Sequence, residues 1–172
     1  MRSIFLTGEK HIGKSTLISK VLASLDLAPG SLAGLRSLSV LSAQRDVYLV
    51  RALETEVSET SVLAGSCKAS HMIQSRPAAF DEYGSWCLAN PPFPSLILID
   101  EIGNMERDAH VYARAVISAM QRPDVLVLGV IQQRASGELA DYIRSHAKLV
   151  SVTLENRDRL LEDLVRLVKE SL

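Results

Sequence analysis

Gly8-Glu9-Lys10-His11-Ile12-Gly13-Lys14-Ser15 has the spacing G-x-x-x-x-G-K-[ST], and Thr16 follows it. Such a loop can wrap a phosphate. Its glycines permit the backbone angles that turn consecutive N–H groups inward. A helix beginning at the phosphate would add the favourable field of its N-terminus. Lys14 would supply a cation to the β- and γ-phosphates, and Ser15 a hydroxyl ligand for Mg²⁺. His11 stands where glycine is common in such loops. It either faces solvent or contacts the nucleotide.

A second candidate is the pair Asp100-Glu101, which follows the apolar run Leu96-Ile97-Leu98-Ile99. Ligands of α/β sheets bind at the carboxyl ends of strands. Asp100 is therefore expected to hold the Mg²⁺, directly or through water. Glu101 is expected to orient or deprotonate an attacking water. Glu106, a little further on, either faces the site or sits near the start of a helix over 107–121, where a carboxylate is favoured. Arg134, Arg144 and Arg157 are the arginines considered for the charge that develops in phosphoryl transfer. Arg134 and Arg157 follow predicted strands, whereas Arg144 falls inside a predicted helix. Asn156 and Arg157 could contact the base, and Asn156 could also cap the last helix. No N-K-x-D guanine-reading motif occurs, so weak base selectivity is expected.

These groups need a scaffold that gathers them. Residues 3–7 form a short apolar run suited to a buried strand, and 14–25 carry apolar residues at helical spacing, ended by Pro29-Gly30. Leu38–Leu41 and Val47–Leu53, around a polar turn over 42–46, predict a hairpin. Ala78–Leu88 reads as a helix whose Phe80, Tyr83 and Trp86 share a core-facing side. Strands at 96–99, 125–131 and 149–154 then alternate with helices at 107–121, 137–146 and toward the C-terminus. The alternation predicts an α/β three-layer sandwich with a mostly parallel central sheet and helices on both faces.

The 172 residues fit a single domain over 1–172, large enough to fold without a staple. Hydrophobic residues make up 47% and charged residues 23%, which excludes a disordered chain. The net charge of −1 argues against nucleic acid or an anionic membrane as partner. Two cysteines, Cys67 and Cys87, have no zinc spacing and suit a reduced cytoplasmic protein. No apolar run is long enough to span a bilayer. A monomer is expected.

Three stretches together resemble the THEP-type, or cancer-related, nucleoside-triphosphatase family. They are residues 4–16 with the phosphate loop, Ile99-Asp100-Glu101-Ile102-Gly103-Asn104-Met105-Glu106, and Val152-Thr153-Leu154-Glu155-Asn156-Arg157-Asp158. The resemblance implies a P-loop α/β domain and Mg²⁺-dependent hydrolysis of ATP, GTP and other nucleoside triphosphates to diphosphate and phosphate. His11 stands where the family usually has Gly, and Asn104 where it usually has Lys. The family segment Gly-Phe-x-Thr-x-Glu-x-Arg is represented by Gly34-Leu35-Arg36-Ser37-Leu38-Ser39-Val40-Leu41, without its Glu and final Arg. The same loop also suits a nucleotide or small-metabolite kinase, or a non-catalytic nucleotide-dependent binding module.

Overall fold

In the computed structural model, which describes residues 2–41, 43–68 and 71–172, the strands join one eight-stranded sheet. The elements run β1 (Ser3–Gly8), α1 (Lys14–Ala23), β2 (Leu32–Leu41), β3 (Arg45–Arg51), β4 (Val62–Lys68), β5 (His71–Ser75). A helical segment follows: α2 (Pro77–Ala79), a π-helical turn (Phe80–Gly84) and α3 (Ser85–Ala89). The chain ends with β6 (Leu96–Ile102), α4 (His110–Gln121), β7 (Leu126–Ile131), α5 (Glu138–His146), β8 (Lys148–Val152) and α6 (Leu160–Ser171). The sheet order is β5-β4-β3-β2-β6-β7-β1-β8.

Strands β2, β6, β7, β1 and β8 are parallel, and β3, β4 and β5 extend β2 as an antiparallel meander. The central strands read as apolar runs because both sheet faces are covered. One face packs Phe5, Ile97, Ile99 and Val127 against Tyr112, Val116 and Ile143 of α4 and α5. The opposite face packs Ile4, Leu6, Leu98 and Leu128 against Leu17, Ile18 and Val21 of α1 and Leu164 and Val168 of α6. The expected three-layer sandwich is therefore present, with a mixed, mostly parallel sheet. No described helix is long and apolar enough to cross a membrane.

The middle of the chain departs most from expectation. The hairpin exists, but β2 begins at Leu32; it pairs in parallel with β6 over Leu32–Arg36 and antiparallel with β3 over Leu35–Leu41. Gly34 makes this possible. Its φ is +109°, and a Cβ there would collide with the backbone of Leu98. The turn over 42–46 is shorter than expected, since β3 starts at Arg45; Ser42 lies outside the described residues. Strands β4 and β5 were not expected, because Gly65, Ser66 and Lys68 interrupt any apolar alternation. Phe80 is core, but Trp86 is half exposed and stacks on Tyr83 with the Arg51 guanidinium over its ring. Cys67 and Cys87 are both buried and free.

Candidate active site

The phosphate loop begins at the carboxyl end of β1. Gly8 has φ +148°, and a Cβ there would run into the carbonyl oxygen of Val152 on β8. Gly13, at φ +102°, turns the chain into α1, and Leu17 N donates to Gly13 O at 2.9 Å. His11 holds φ 62° and is exposed, so this histidine occupies the left-handed conformation that glycine adopts more readily. Lys14 is buried, and its Nζ donates to Gly8 O at 3.0 Å and Glu9 O at 2.6 Å. Burial lowers the Lys14 pKa, opposed by the charges of Glu101 and Asp100.

Asp100 and Glu101 lie near the end of β6, where its pairing with β7 shifts register between Ile99 and Ile102. The two motifs meet here. Ser15 Oγ donates to Asp100 Oδ1 at 2.8 Å across 85 residues of sequence. Asp100 is buried, which pushes its carboxyl pKa up, opposed by the Ser15 hydrogen bond and the Arg36 charge. Together the hydroxyl and the carboxylate offer two hard oxygen donors at a helix N-terminus. That donor set suits a small divalent cation completed by substrate oxygens and water, and it does not need a larger protein cage. No cluster of three or more His, Cys, Asp or Glu able to hold a metal occurs among the described residues.

Sequence reasoning missed Arg36. This arginine lies opposite Asp100 in the β2–β6 register and is buried. Its Nη1 stands 3.3 Å from Asp100 Oδ2 and 3.1 Å from Ser19 Oγ, and its Nε donates to Ala52 O at 2.9 Å. A strand recognised from Leu32 rather than Leu38 would have brought it beside β6. Gln132 was missed too, although it directly follows β7 at a carboxyl end. Its side-chain amide donates to the Glu101 carboxylate. Gly103 leaves the space, since a Cβ there would stand 2.9 Å from the Gln132 amide atoms.

The other candidates separate. Arg144 lies in α5 and donates to the carbonyls of Gln133 at 3.2 Å and Ala135 at 2.7 Å, bracing the loop after β7. Arg134 sits exposed on that loop. Asn104 holds the loop from the other side: its Nδ2 donates to Arg134 O, and its Oδ1 accepts from Ser136 N and Ser136 Oγ. Glu106 is buried and accepts from Gly103 N–H, so it neither opens into the site nor begins α4, which starts at His110. Asn156 closes its own turn, accepting from Thr153 N at 2.8 Å and donating to Ser151 O at 2.9 Å. Arg157 is exposed and lies 3.7 Å from Asp158.

The geometry therefore gathers a phosphate loop, two oxygen donors and an adjacent carboxylate at the carboxyl ends of β1 and β6. Residues 3–165 match the model of the NTPase family. This chain belongs to the NTPase family. It is similar over its length to other proteins of that kind. The human cancer-related nucleoside-triphosphatase is 28% identical over 187 aligned residues, covering 99% of this chain and 98% of the relative. The nucleoside-triphosphatase THEP1 of Methanosarcina acetivorans is 28% identical over 175 residues, covering 95% of each. The crystal structure of THEP1 from the hyperthermophile Aquifex aeolicus superposes with a TM-score of 0.75 at 25% identity, covering 96% of this chain and 98% of that one. The NTPase-family fold thus extends through the β2–β5 region, where sequence patterning was weakest.

Proposed function

We propose that this chain is a Mg²⁺-dependent phosphohydrolase of ATP, GTP and other nucleoside triphosphates with weak base selectivity. The observation that carries the reading is the 2.8 Å contact between Ser15 Oγ and Asp100 Oδ1, which joins the phosphate loop to the acidic strand end. Ser15 and Asp100 would hold Mg²⁺, Asp100 directly or through water. When bound, Mg²⁺ neutralises charge on the β- and γ-phosphate oxygens.

The loop N–H groups over 8–13 cradle the phosphates, and Lys14 exchanges its Gly8 and Glu9 carbonyl partners for β- and γ-oxygens. Glu101 orients water for in-line attack on the γ-phosphorus and takes its proton, while the bond to the β–γ bridging oxygen breaks toward the diphosphate. Among the arginines weighed, Arg134 is favoured for the phosphates over Arg144, whose guanidinium is already spent on loop carbonyls. Weak base selectivity is supported by Asn156, whose amide already holds Thr153 N and Ser151 O in its own turn. Continuity of the one sheet from β1 to β8 supports a single domain.

Product analysis tests the reading. ATP and Mg²⁺ are incubated with the purified protein, with and without a panel of nucleosides, nucleoside monophosphates and small alcohols. Lys14→Ala controls for contaminating activity. Free phosphate that requires Lys14 and ignores the panel is expected. A phosphorylated acceptor formed at the expense of free phosphate would make the chain a kinase. Bound, unhydrolysed ATP would make it a binding module.

A further inference from the structure

Arg36 belongs to a closed ring of four residues around the oxygen donors. Its Nη1 reaches Asp100 Oδ2 at 3.3 Å and Ser19 Oγ at 3.1 Å. Ser19 Oγ donates to the carbonyl oxygen of Ser15 at 3.0 Å, one helical turn earlier. Ser15 Oγ closes the ring on Asp100 Oδ1 at 2.8 Å. The guanidinium is itself fixed by a third anchor, Nε to Ala52 O at 2.9 Å just past β3. We infer that Arg36 is a positioning residue that presets the two metal-holding groups, aiming the Asp100 carboxylate directly and the first turn of α1 through Ser19.

The residue type follows from the geometry. Only a planar fork supplies Nε to one partner and Nη1 to two others from one rigid group. A lysine keeps the charge but can hold neither the Ala52 anchor nor the angle between Asp100 and Ser19. Outer partners that orient metal ligands commonly control metal affinity. The inference rests on the proposed reading of Ser15 and Asp100 as the Mg²⁺ ligands.

The test measures Mn²⁺ binding rather than turnover. Mn²⁺ is titrated into the protein–ADP complex and followed by its electron paramagnetic resonance signal, with protein-free ADP subtracted. Arg36→Met is expected to weaken Mn²⁺ binding by about tenfold or more. Binding of ADP without metal should stay within about twofold, since the loop N–H groups are untouched. Arg36→Lys should recover only part of the loss. Ser19→Ala, which removes an exposed hydroxyl and one arm of the ring, should give an intermediate weakening and keeps the test available if Arg36→Met does not fold. Unchanged or tighter Mn²⁺ binding in folded Arg36→Met, or in Ser19→Ala and Arg36→Lys together, would overturn the inference alone. A wild-type ADP complex that binds no Mn²⁺ beyond free ADP would overturn the reading of Ser15 and Asp100 as well.

Discussion

Gln132, the residue immediately after β7, donates its side-chain amide to the carboxylate of Glu101, immediately after Asp100 on β6. The contact is built rather than incidental. The Gln132 backbone N–H is tied to Ile102 O at 2.8 Å, and Gly103 clears the volume that the amide fills. One oxygen of Glu101 is thereby fixed, which sets the direction of the other.

Gln132→Leu should therefore lower kcat by about tenfold to a hundredfold through misplacement of the water, with nucleotide binding little changed. Glu101→Gln should remove turnover while leaving binding intact. Steady-state kinetics beside equilibrium titration with a fluorescent nucleotide separates the two effects. Rapid hydrolysis by Glu101→Gln would exclude Glu101 as the proton acceptor.

Asn104 staples the loop that carries Gln132 by three exposed hydrogen bonds to Arg134 and Ser136. Asn104→Ala should cost about 1 kcal/mol, since such bonds exchange against water. Asn104→Lys, which installs the residue usual in the family, should lose the same staple. Thermal denaturation measures both, and a melting temperature equal to that of the wild type would show that the loop holds without it.

Glu106 makes stability depend on pH. Burial pushes its carboxyl up to about 7 from 4.5, against the opposing hydrogen bond from Gly103 N–H. The folded state thus holds this proton more tightly than the unfolded chain. The associated stabilisation is full below pH 4.5 and is lost as pH rises through about 7. The shift corresponds to about 3 kcal/mol. Glu106→Gln keeps the shape and an acceptor for Gly103, so it should be more stable than wild type at pH 8.5 and converge with it near pH 5. Urea denaturation at both pH values checks this, and parallel pH profiles would refute it.

Gly34→Ala should cost about 3 kcal/mol or more, because it combines a left-handed backbone with a collision against Leu98. Gly30 provides the control. Its φ is +80°, but the space around it is open, so Gly30→Ala should cost only about 1 kcal/mol. Equal losses in chemical denaturation would show that β2 and β6 can separate to admit a side chain.

The phosphate loop and the Asp100-Glu101 pair were legible because each couples an apolar strand to a fixed chemical signature. Strands β1, β6 and β7 were legible for the same reason, since strands buried on both faces must be apolar. Arg36 was not, because its strand carries a buried cation paired with a residue 64 positions away, and no local period records such a partner. Strands β4 and β5 were hidden by the polar residues tolerated at the end of a sheet, such as Ser66 bonding to Asp46. Asn156 offers both a base contact and a cap, and its bonds to Thr153 and Ser151 are local ones. A short polar side chain has local backbone partners that spacing alone does not weigh.

The position of β7 between β1 and β6 has a further consequence. Adjacent strands lie about 4.8 Å apart, so the backbones that carry the phosphate loop and Glu101 are separated by about 10 Å, and a whole strand would have to leave before they could close. The sheet is a fixed ruler across the site. Adjustment of reach is left to side-chain length: one methylene removed by Glu101→Asp or Gln132→Asn moves a polar end by about 1.5 Å, the length of one carbon–carbon bond. Retuning the chemistry of this scaffold is therefore a matter of single methylenes at strand ends.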